Sequence, residues 1–123
     1  MSYRILLVED SRTQALRFQL ELAHYGLKVE VASNGTTALA AARTHSPDAI
    51  VLDIDLPELD GYSVCRALKA DPATADIPIV MLTRYDDAQA ALVGLDLGAV
   101  DYIPKDSFAE DNLLQALQQL GLI

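Results

Sequence analysis

The chain has 123 residues, of which 51% are apolar, and a formal net charge of −9. This length provides one domain with a sizeable core and is too short for two. The negative net charge argues against nucleic-acid binding by this domain, because contacts with phosphates need clustered Lys and Arg residues. A single cysteine, Cys65, excludes an intramolecular disulfide and fits a reducing compartment.

The apolar runs are of strand length, and none approaches the roughly 20 residues of a membrane-spanning helix. The N-terminus, Met1-Ser2-Tyr3-Arg4, leads directly into a predicted strand and shows no signal-peptide pattern. We therefore expect a cytoplasmic protein with a single domain over residues 1–123.

Strand-like and helix-like segments alternate five times along the chain. Apolar runs predict strands at residues 4–8, 27–32, 48–53, 77–82 and 99–104. Helices are predicted at residues 12–25, 35–45, 59–70, 87–97 and 107–120. Asn34 and Ser107 stand at predicted helix starts, and Gly26 and Gly98 stand at predicted helix ends.

This alternation is typical of a parallel sheet covered by helices on both faces. Strands 1, 3 and 4 are nearly continuous apolar runs and are predicted to be central. Strands 2 and 5 contain polar residues and are predicted to be edges. The order 2-1-3-4-5 satisfies both conditions with short, right-handed crossovers. We therefore predict a doubly wound, flavodoxin-like α/β fold with five parallel strands.

Polar side chains lie where four of these strands end. Glu9-Asp10 follow strand 1, Asp53 ends strand 3, and Thr83 and Lys105 follow strands 4 and 5. The winding direction changes between strands 1 and 3, and ligands in such sheets bind beyond the carboxyl ends of the strands at that point. The predicted topology therefore brings the acidic residues together.

Clustered carboxylates repel one another unless a cation is present, and Mg²⁺ prefers oxygen ligands of this kind. A carboxylate can also attack phosphorus to form an acyl phosphate. The transferred phosphoryl group needs a metal, a cation and a hydrogen-bond donor around its oxygens. Asp10 with the metal, Lys105 and Thr83 would supply that set.

These residues and several neighbours make the chain resemble, over its whole length, the receiver domain of two-component response regulators, of the single-domain chemotaxis-regulator type. The resemblance rests on Glu9-Asp10, Asp53, Leu56-Pro57, Asp60-Gly61, Thr83, Gly98-Ala99, Tyr102 and Lys105.

The resemblance implies that Asp53 is the phosphoacceptor and takes its phosphoryl group from a phosphohistidine on a histidine kinase or a phosphotransfer protein. It implies that Asp10 and Asp53 bind Mg²⁺ through their carboxylates. Asp55 would bind the same ion through its backbone carbonyl, and Glu9 would act largely through water. The expected protein is a signalling switch rather than an enzyme.

The resemblance also implies how the switch works. Lys105 would pair with the phosphoryl oxygens, and Thr83 and Tyr102 would reorient when phosphate arrives. The surface built from the fourth helix, the fifth strand and the fifth helix would then change, and it would serve partners or a homodimer. The kinase and the output partner are not identified by the sequence.

Three positions shape expectations for this chain in particular. Arg84 follows Thr83, where the family usually has a small residue, and we expect it to lean toward Asp55 and modulate access to the site. Tyr85 is expected to be a rim residue that tunes the same access. Asp106 follows Lys105, where the family usually has a proline in a cis peptide, so this loop is expected to be trans.

Two other classes of protein share part of this sequence pattern. Asp53-Ile54-Asp55 has the Asp-x-Asp form of haloacid-dehalogenase-type phosphatases, but their nucleophile lies on the first strand and they need a cap and more chain. A flavodoxin-like cofactor binder would need a Gly- and hydroxyl-rich phosphate loop after strand 1. Glu9-Asp10 occupy that position and would repel a phosphate without a metal.

Overall fold

The computed structural model describes residues 2–84 and 88–123, without the side chains of residues 88–90. Five strands and five helices alternate in this part of the chain. The elements are β1 (Arg4–Val8), α1 (Arg12–His24), β2 (Lys28–Ala32), α2 (Gly35–His45), β3 (Ala49–Asp53), α3 (Gly61–Ala70), β4 (Ile79–Thr83), α4 (Ala88–Asp96), β5 (Asp101–Pro104) and α5 (Ala109–Gln119). No helix in the described residues is both long and apolar enough to cross a membrane.

The strands form one parallel sheet in the order β2-β1-β3-β4-β5, which confirms the predicted fold. Every residue of β3 and β4 is buried, whereas β2 is largely exposed. The continuous apolar runs are therefore central because helices cover both of their faces. The register pairs Asp53 with Leu82 and Thr83 with Pro104, so the carboxyl ends of β3, β4 and β5 meet at one edge.

The core consists of two layers, one on each face of the sheet. Alternate residues of a strand point to opposite faces, so Leu6 and Leu52 pack with α2 and α3, while Leu7 and Val51 pack with α1 and α5. The helices thus cover both faces of the sheet and leave its carboxyl edge uncovered.

Three of the four predicted helix boundaries are confirmed. The Asn34 side chain accepts a hydrogen bond from the Thr37 amide at 2.8 Å, which caps α2. Gly26 and Gly98 follow α1 and α4 with φ of 82° and 104°, a left-handed conformation that favours glycine.

The fourth boundary, Ser107 as a helix start, was wrong. Helix α5 begins at Ala109, and the residue before it, Phe108, offers no side-chain cap. The Asp106 carboxylate instead accepts a hydrogen bond from the Phe108 amide at 2.8 Å, so a local turn precedes the helix. The Lys105–Asp106 peptide in this turn is trans, as expected.

Other element limits shift by one to two residues. Helix α3 begins at Gly61 rather than at residue 59, because the Asp60 carboxylate caps it by accepting from the Ser63 amide at 2.9 Å. Strand β4 runs to Thr83 and therefore includes it, and β5 starts at Asp101, after the turn that follows Gly98. Thr83 is consequently fixed by sheet hydrogen bonding.

Candidate functional site

Three carboxylates converge at the carboxyl edge of the sheet. One oxygen each of Glu9, Asp10 and Asp53 lies within 4.8 Å of the others. Glu9 is 2% exposed and Asp53 is equally buried, whereas Asp10 is open to solvent. This acidic cluster is suited to a hard divalent cation, which prefers oxygen ligands and relieves the repulsion between the charges.

Lys105 is the cation that the fold itself supplies to this cluster. Its ammonium donates to Glu9 Oε2 at 2.7 Å, to Asp53 Oδ2 at 2.8 Å and to Gln14 Oε1 at 2.8 Å. The Lys105 backbone amide also donates to the Thr83 carbonyl, which ties the ends of β4 and β5 together. Burial alone would lower the Lys105 pKa, but the hydrogen bonds and charges of Asp53 and Glu9 outweigh burial and raise it.

Glu9 is the most strongly perturbed acid of the cluster. Burial raises its pKa to about 7 from an ordinary 4.5, and the nearby Asp53 charge pushes it in the same direction. The ammonium of Lys105 and the Ser11 amide, which donates to Glu9 Oε1 at 3.1 Å, act against this rise. Ionising the Glu9 carboxyl group therefore costs free energy unless a further cation lies nearby.

Asp53 is held firmly at the end of β3. Its Oδ1 accepts from the Asp55 amide at 2.9 Å, and its Oδ2 accepts from Lys105. Gly61 allows the start of α3 to lie against this turn, because a Cβ there would stand 2.6 Å from the Asp53 carbonyl oxygen. Because the backbone at the start of α3 lies so close to the backbone at Asp53, the residue after Asp60 must be glycine.

Arg84 pairs with Asp55, as the sequence analysis expected. Arg84 Nε lies 3.2 Å from Asp55 Oδ2, and the arginine side chain is 70% exposed. This carboxylate oxygen is buried, and it accepts no hydrogen bond within residues 2–84 and 88–123. The exposed Arg84 guanidinium is the charged group that faces this oxygen, so Asp55 adds a carboxylate to the rim of the acidic cluster.

These groups line a single open cleft of about 270 Å³. Its lining residues are Glu9, Asp10, Ser11, Gln14, Asp53, Asp55, Arg84 and Lys105. The cleft therefore contains all four predicted metal-site residues, the predicted phosphoacceptor and the lysine. Arg84 borders it with an exposed guanidinium.

The two predicted switch residues lie on β4 and β5, and neither of them lines the cleft. Thr83 ends β4 and is fully buried, and Tyr102 stands opposite Met81 in the β4–β5 register. The Tyr102 ring packs against α4 at Gly94, where an added Cβ would lie 3.1 Å from ring atom Cδ2. Tyr85, the predicted rim residue, lies outside the described residues.

Two residues of the site were missed by sequence reasoning. Gln14 accepts from Lys105, and the only signal for it was its place in the first turn of α1, just after Glu9-Asp10. Tyr62, in the first turn of α3, forms a hydrogen bond with Tyr102. Burial, together with that bond, raises the Tyr62 pKa to about 12.

The family model for the response regulator receiver domain matches residues 5–118. The chain therefore belongs to the receiver domain family of response regulators, which are signalling switches of two-component systems. Response regulator MprA of Mycobacterium bovis (strain BCG / Pasteur 1173P2) is 42% identical over 120 residues, which cover 98% of this chain and 51% of that protein. The chain thus spans about half the length of the curated relatives it matches.

Solved structures give the same result for the fold. The chemotaxis response regulator CheY4 of Vibrio cholerae superimposes with a TM-score of 0.89 at 28% identity, covering 98% of this chain and 99% of that one. The receiver domain of sensor histidine kinase PA1611 from Pseudomonas aeruginosa PAO1 has a TM-score of 0.88 at 32% identity, with the same coverage. The latter structure is described with a magnesium ion coordinated in its active site cleft.

Proposed function

We propose that Asp53 is the phosphoacceptor of a two-component phosphorelay. The observation that carries this proposal is the environment of its carboxylate, which is buried at the end of β3, bound by Lys105 and clustered with two further acids. A group so costly to bury is retained where its charge or its nucleophilicity is used. The donor would be a phosphohistidine on a histidine kinase or a phosphotransfer protein.

In the proposed reaction, an Asp53 carboxylate oxygen attacks phosphorus as the phosphorus–nitrogen bond of the phosphohistidine breaks. The nitrogen keeps the electron pair, and the imidazole leaves. Lys105, already within 2.8 Å of Asp53 Oδ2, would shift its hydrogen bonds to the phosphoryl oxygens. The Thr83 hydroxyl, one position beyond the register partner of Asp53, would donate to the same group.

A divalent cation would be held by the carboxylates of Asp10 and Asp53 and by the backbone carbonyl of Asp55, with Glu9 acting through water. Mg²⁺ would supply charge neutralisation on the phosphoryl oxygens. The carboxylate donor set of Glu9, Asp10 and Asp53 fits such an ion, and the related PA1611 receiver structure is described with magnesium in its cleft. The protein residues fix the position of Asp53 relative to the donor.

The output would be a change in the surface formed by α4, β5 and α5. Tyr102, on β5, packs against α4 at Gly94, and it would reorient when Thr83 moves toward a phosphoryl group. That surface would serve an output partner or a second copy of the chain. A cytoplasmic location would give the site access to its kinase.

Phosphorylation with acetyl phosphate and Mg²⁺, read by intact mass, tests the assignment. We expect one added phosphoryl group on the parent chain and none on Asp53→Asn, because an amide is not a nucleophile. Asp76→Asn, an exposed aspartate between α3 and β4, is the matched control and should be labelled like the parent. Equal labelling of the Asp53→Asn variant would show that Asp53 is the wrong residue.

The two alternative classes are tested in the same preparation. A phosphatase of the haloacid-dehalogenase type would hydrolyse small phosphate esters with many turnovers. A flavin binder would show a visible absorption band. We expect neither, because the Asp53 site lies on the third strand and the β1–α1 turn carries Glu9-Asp10.

A further inference from the structure

The hydrogen bonds of the Lys105 ammonium account for all of its donors. It donates to Glu9 Oε2 at 2.7 Å, to Asp53 Oδ2 at 2.8 Å and to Gln14 Oε1 at 2.8 Å. An ammonium has three protons and no lone pair, so the Gln14 amide must face it with its carbonyl oxygen. A phosphoryl oxygen can therefore bind Lys105 only if one of these three acceptors gives way.

Gln14 is the acceptor that Lys105 can release at the lowest cost. The other two acceptors are buried carboxylates, and their hydrogen bonds to an ammonium are strengthened by opposite charge. Gln14 is uncharged and exposed, so water can replace whatever contacts its amide loses. Lys105 must also stay beside Asp53, because the phosphoryl group would be attached there. The bond to Gln14 is therefore the one that a phosphoryl oxygen would displace.

The fold leaves space into which the Gln14 amide can move. Gln14 and Lys105 line the cleft, and both also line a second cavity of about 140 Å³ between α1 and α5. Arg17, which lines that second cavity, offers guanidinium donors to a displaced amide. The backbone of Gln14 can stay in place meanwhile, because its N–H donates to the capping Ser11 Oγ at 3.3 Å. A side-chain rotation is thus enough to free the ammonium.

We infer that Gln14 is a positioning residue that competes with the phosphoryl group for Lys105. Its amide oxygen holds the ammonium in the unphosphorylated chain, and this bond must break before Lys105 can bind a phosphoryl oxygen. Helix α1 keeps the amide next to the ammonium, so it competes better than a free water molecule would. Gln14 therefore slows the phosphorylation of Asp53.

This inference rests on the proposed function of Asp53 and adds a residue that regulates it. The opposite role is that Gln14 aims the ammonium at the incoming phosphoryl group and so speeds the transfer. The two roles predict opposite effects of removing the amide oxygen, so the sign of the change in rate decides between them.

The test measures the rate of phosphorylation by acetyl phosphate in the presence of Mg²⁺, followed by intact mass. In this reaction an Asp53 oxygen attacks phosphorus, and acetate leaves with the electron pair of the phosphorus–oxygen bond. Gln14→Leu removes the acceptor, and we expect it to react roughly threefold faster or more, as expected for the loss of one hydrogen bond. Gln14→Glu puts a charged acceptor in the same place and should react more slowly than the parent. Equal rates for the three proteins, or a slower Gln14→Leu, would overturn the inference.

Two control variants separate the contact with Lys105 from general effects of the substitutions. Gln118→Leu makes the same change at an exposed glutamine of α5 outside the cleft, and it should react like the parent. Thr13→Glu adds a negative charge at an exposed position one residue before Gln14, and it should also react like the parent. If Thr13→Glu is slowed as much as Gln14→Glu, and Gln14→Leu is no faster than the parent, the inference is wrong. Melting curves establish that each variant is folded before rates are compared.

A second measurement reports on Lys105 directly and needs neither phosphate nor metal. NMR of the lysine ammonium groups gives the rate at which the Lys105 protons exchange with water. Gln14→Leu should speed this exchange by roughly threefold or more, because one of the three acceptors is gone, whereas Gln118→Leu should not change it. Unchanged exchange in Gln14→Leu would overturn the inference, because Gln14 would then not hold the ammonium.

The two measurements distinguish a failure of the inference from a failure of the proposed function. If acetyl phosphate labels none of the proteins, the assignment of Asp53 fails and the role of Gln14 fails with it. If every variant is labelled at the parent rate, Asp53 remains the phosphoacceptor and only the role of Gln14 is wrong.

Discussion

Lys105 Nζ donates to Glu9 Oε2 across 2.7 Å, yet the Glu9 pKa stands at about 7. Burial in the carboxyl edge of the sheet outweighs the nearby ammonium, and Asp53 adds a second negative charge. One lysine therefore does not neutralise this site. We therefore expect the stability of the apo protein to depend on pH and on divalent cations.

In metal-free buffer, the free energy of unfolding should fall as pH rises from about 4.5 to about 7. A pKa raised in the folded state means that the folded chain keeps a proton which the unfolded chain has already released. Glu9 therefore contributes fully to the free energy of unfolding at pH values below its pKa in the unfolded chain. This contribution is lost as pH rises through its pKa in the folded chain. The shift from 4.5 to about 7 corresponds to roughly 3 kcal/mol at most.

Denaturant unfolding of the parent and of Glu9→Gln across that range checks this prediction. The difference between the unfolding free energies of the two proteins should change with pH, because the glutamine amide does not titrate. Glu21→Gln, in the last turn of α1, is the control and should track the parent. If the unfolding free energies of the parent and of Glu9→Gln differ by the same amount from about pH 4.5 to about pH 7, the prediction is contradicted.

Mg²⁺ should stabilise the parent protein near neutral pH, because it relieves the repulsion between Glu9, Asp10 and Asp53. Binding to the folded state alone adds about 1.4 kcal/mol when the ion is at roughly ten times its dissociation constant. Asp10→Asn should weaken this effect markedly and raise apo stability slightly by removing a like charge. The measurement is the melting temperature with Mg²⁺ and with a chelator.

The Mg²⁺ experiment has its own control. Asp76→Asn removes a carboxylate outside the cleft and should leave the ion-dependent shift unchanged. If the parent melts at the same temperature in millimolar Mg²⁺ and in chelator, the acidic cluster is not a metal site.

Gly94→Ala should disturb the predicted switch. A Cβ at this position would lie 2.8 Å from Met81 Sδ and 3.1 Å from Tyr102 Cδ2, so the Met81 side chain must shift and the Tyr102 ring must yield by a few tenths of an ångström. Better helix propensity gains about 1 kcal/mol, while overpacking costs about 1–3 kcal/mol, so a small net loss of stability is expected. Resonances near Tyr102 should shift before phosphorylation and respond less to it.

A double-mutant cycle assigns this effect to the ring. With Tyr102→Ala in place, Gly94→Ala should be less costly, because one of the two side chains that crowd the new methyl group has been removed and Met81 can move into the vacated space. Additive effects on stability, together with an unchanged phosphorylation response of the region, would show that Gly94 and Tyr102 are not coupled.

Much of the architecture could be predicted because burial leaves a direct mark on composition. The apolar runs before Asp53 and Thr83 identified central strands, and parallel packing then required their ends to meet. Gln14 could not be predicted, since it lies on a helix rather than at a strand end, and its contact with Lys105 depends on how α1 is rotated against the end of β5. The Ser107 cap failed because Asp106, one residue earlier, competes for the backbone donors.

The last prediction concerns Arg84, which borders the cleft through its contact with Asp55. The pair is largely exposed on the arginine side, so it should contribute only about 0–1 kcal/mol to stability. We expect the guanidinium to narrow the approach to Asp53 in the resting state. After phosphorylation it can pair with phosphoryl oxygens and shield the acyl phosphate from water.

Arg84→Ala should therefore speed phosphorylation by acetyl phosphate and also speed loss of the phosphoryl group, with the melting temperature little changed. Arg84→Lys keeps the charge but loses the planar guanidinium, so its rates should lie between those of the parent and the alanine variant. Arg12→Ala, an exposed arginine at the start of α1, controls for loss of a positive charge near the cleft. Both rates are followed by intact mass over time. If they match the parent in Arg84→Ala, the arginine does not gate the site and its contact with Asp55 has no effect on phosphoryl chemistry.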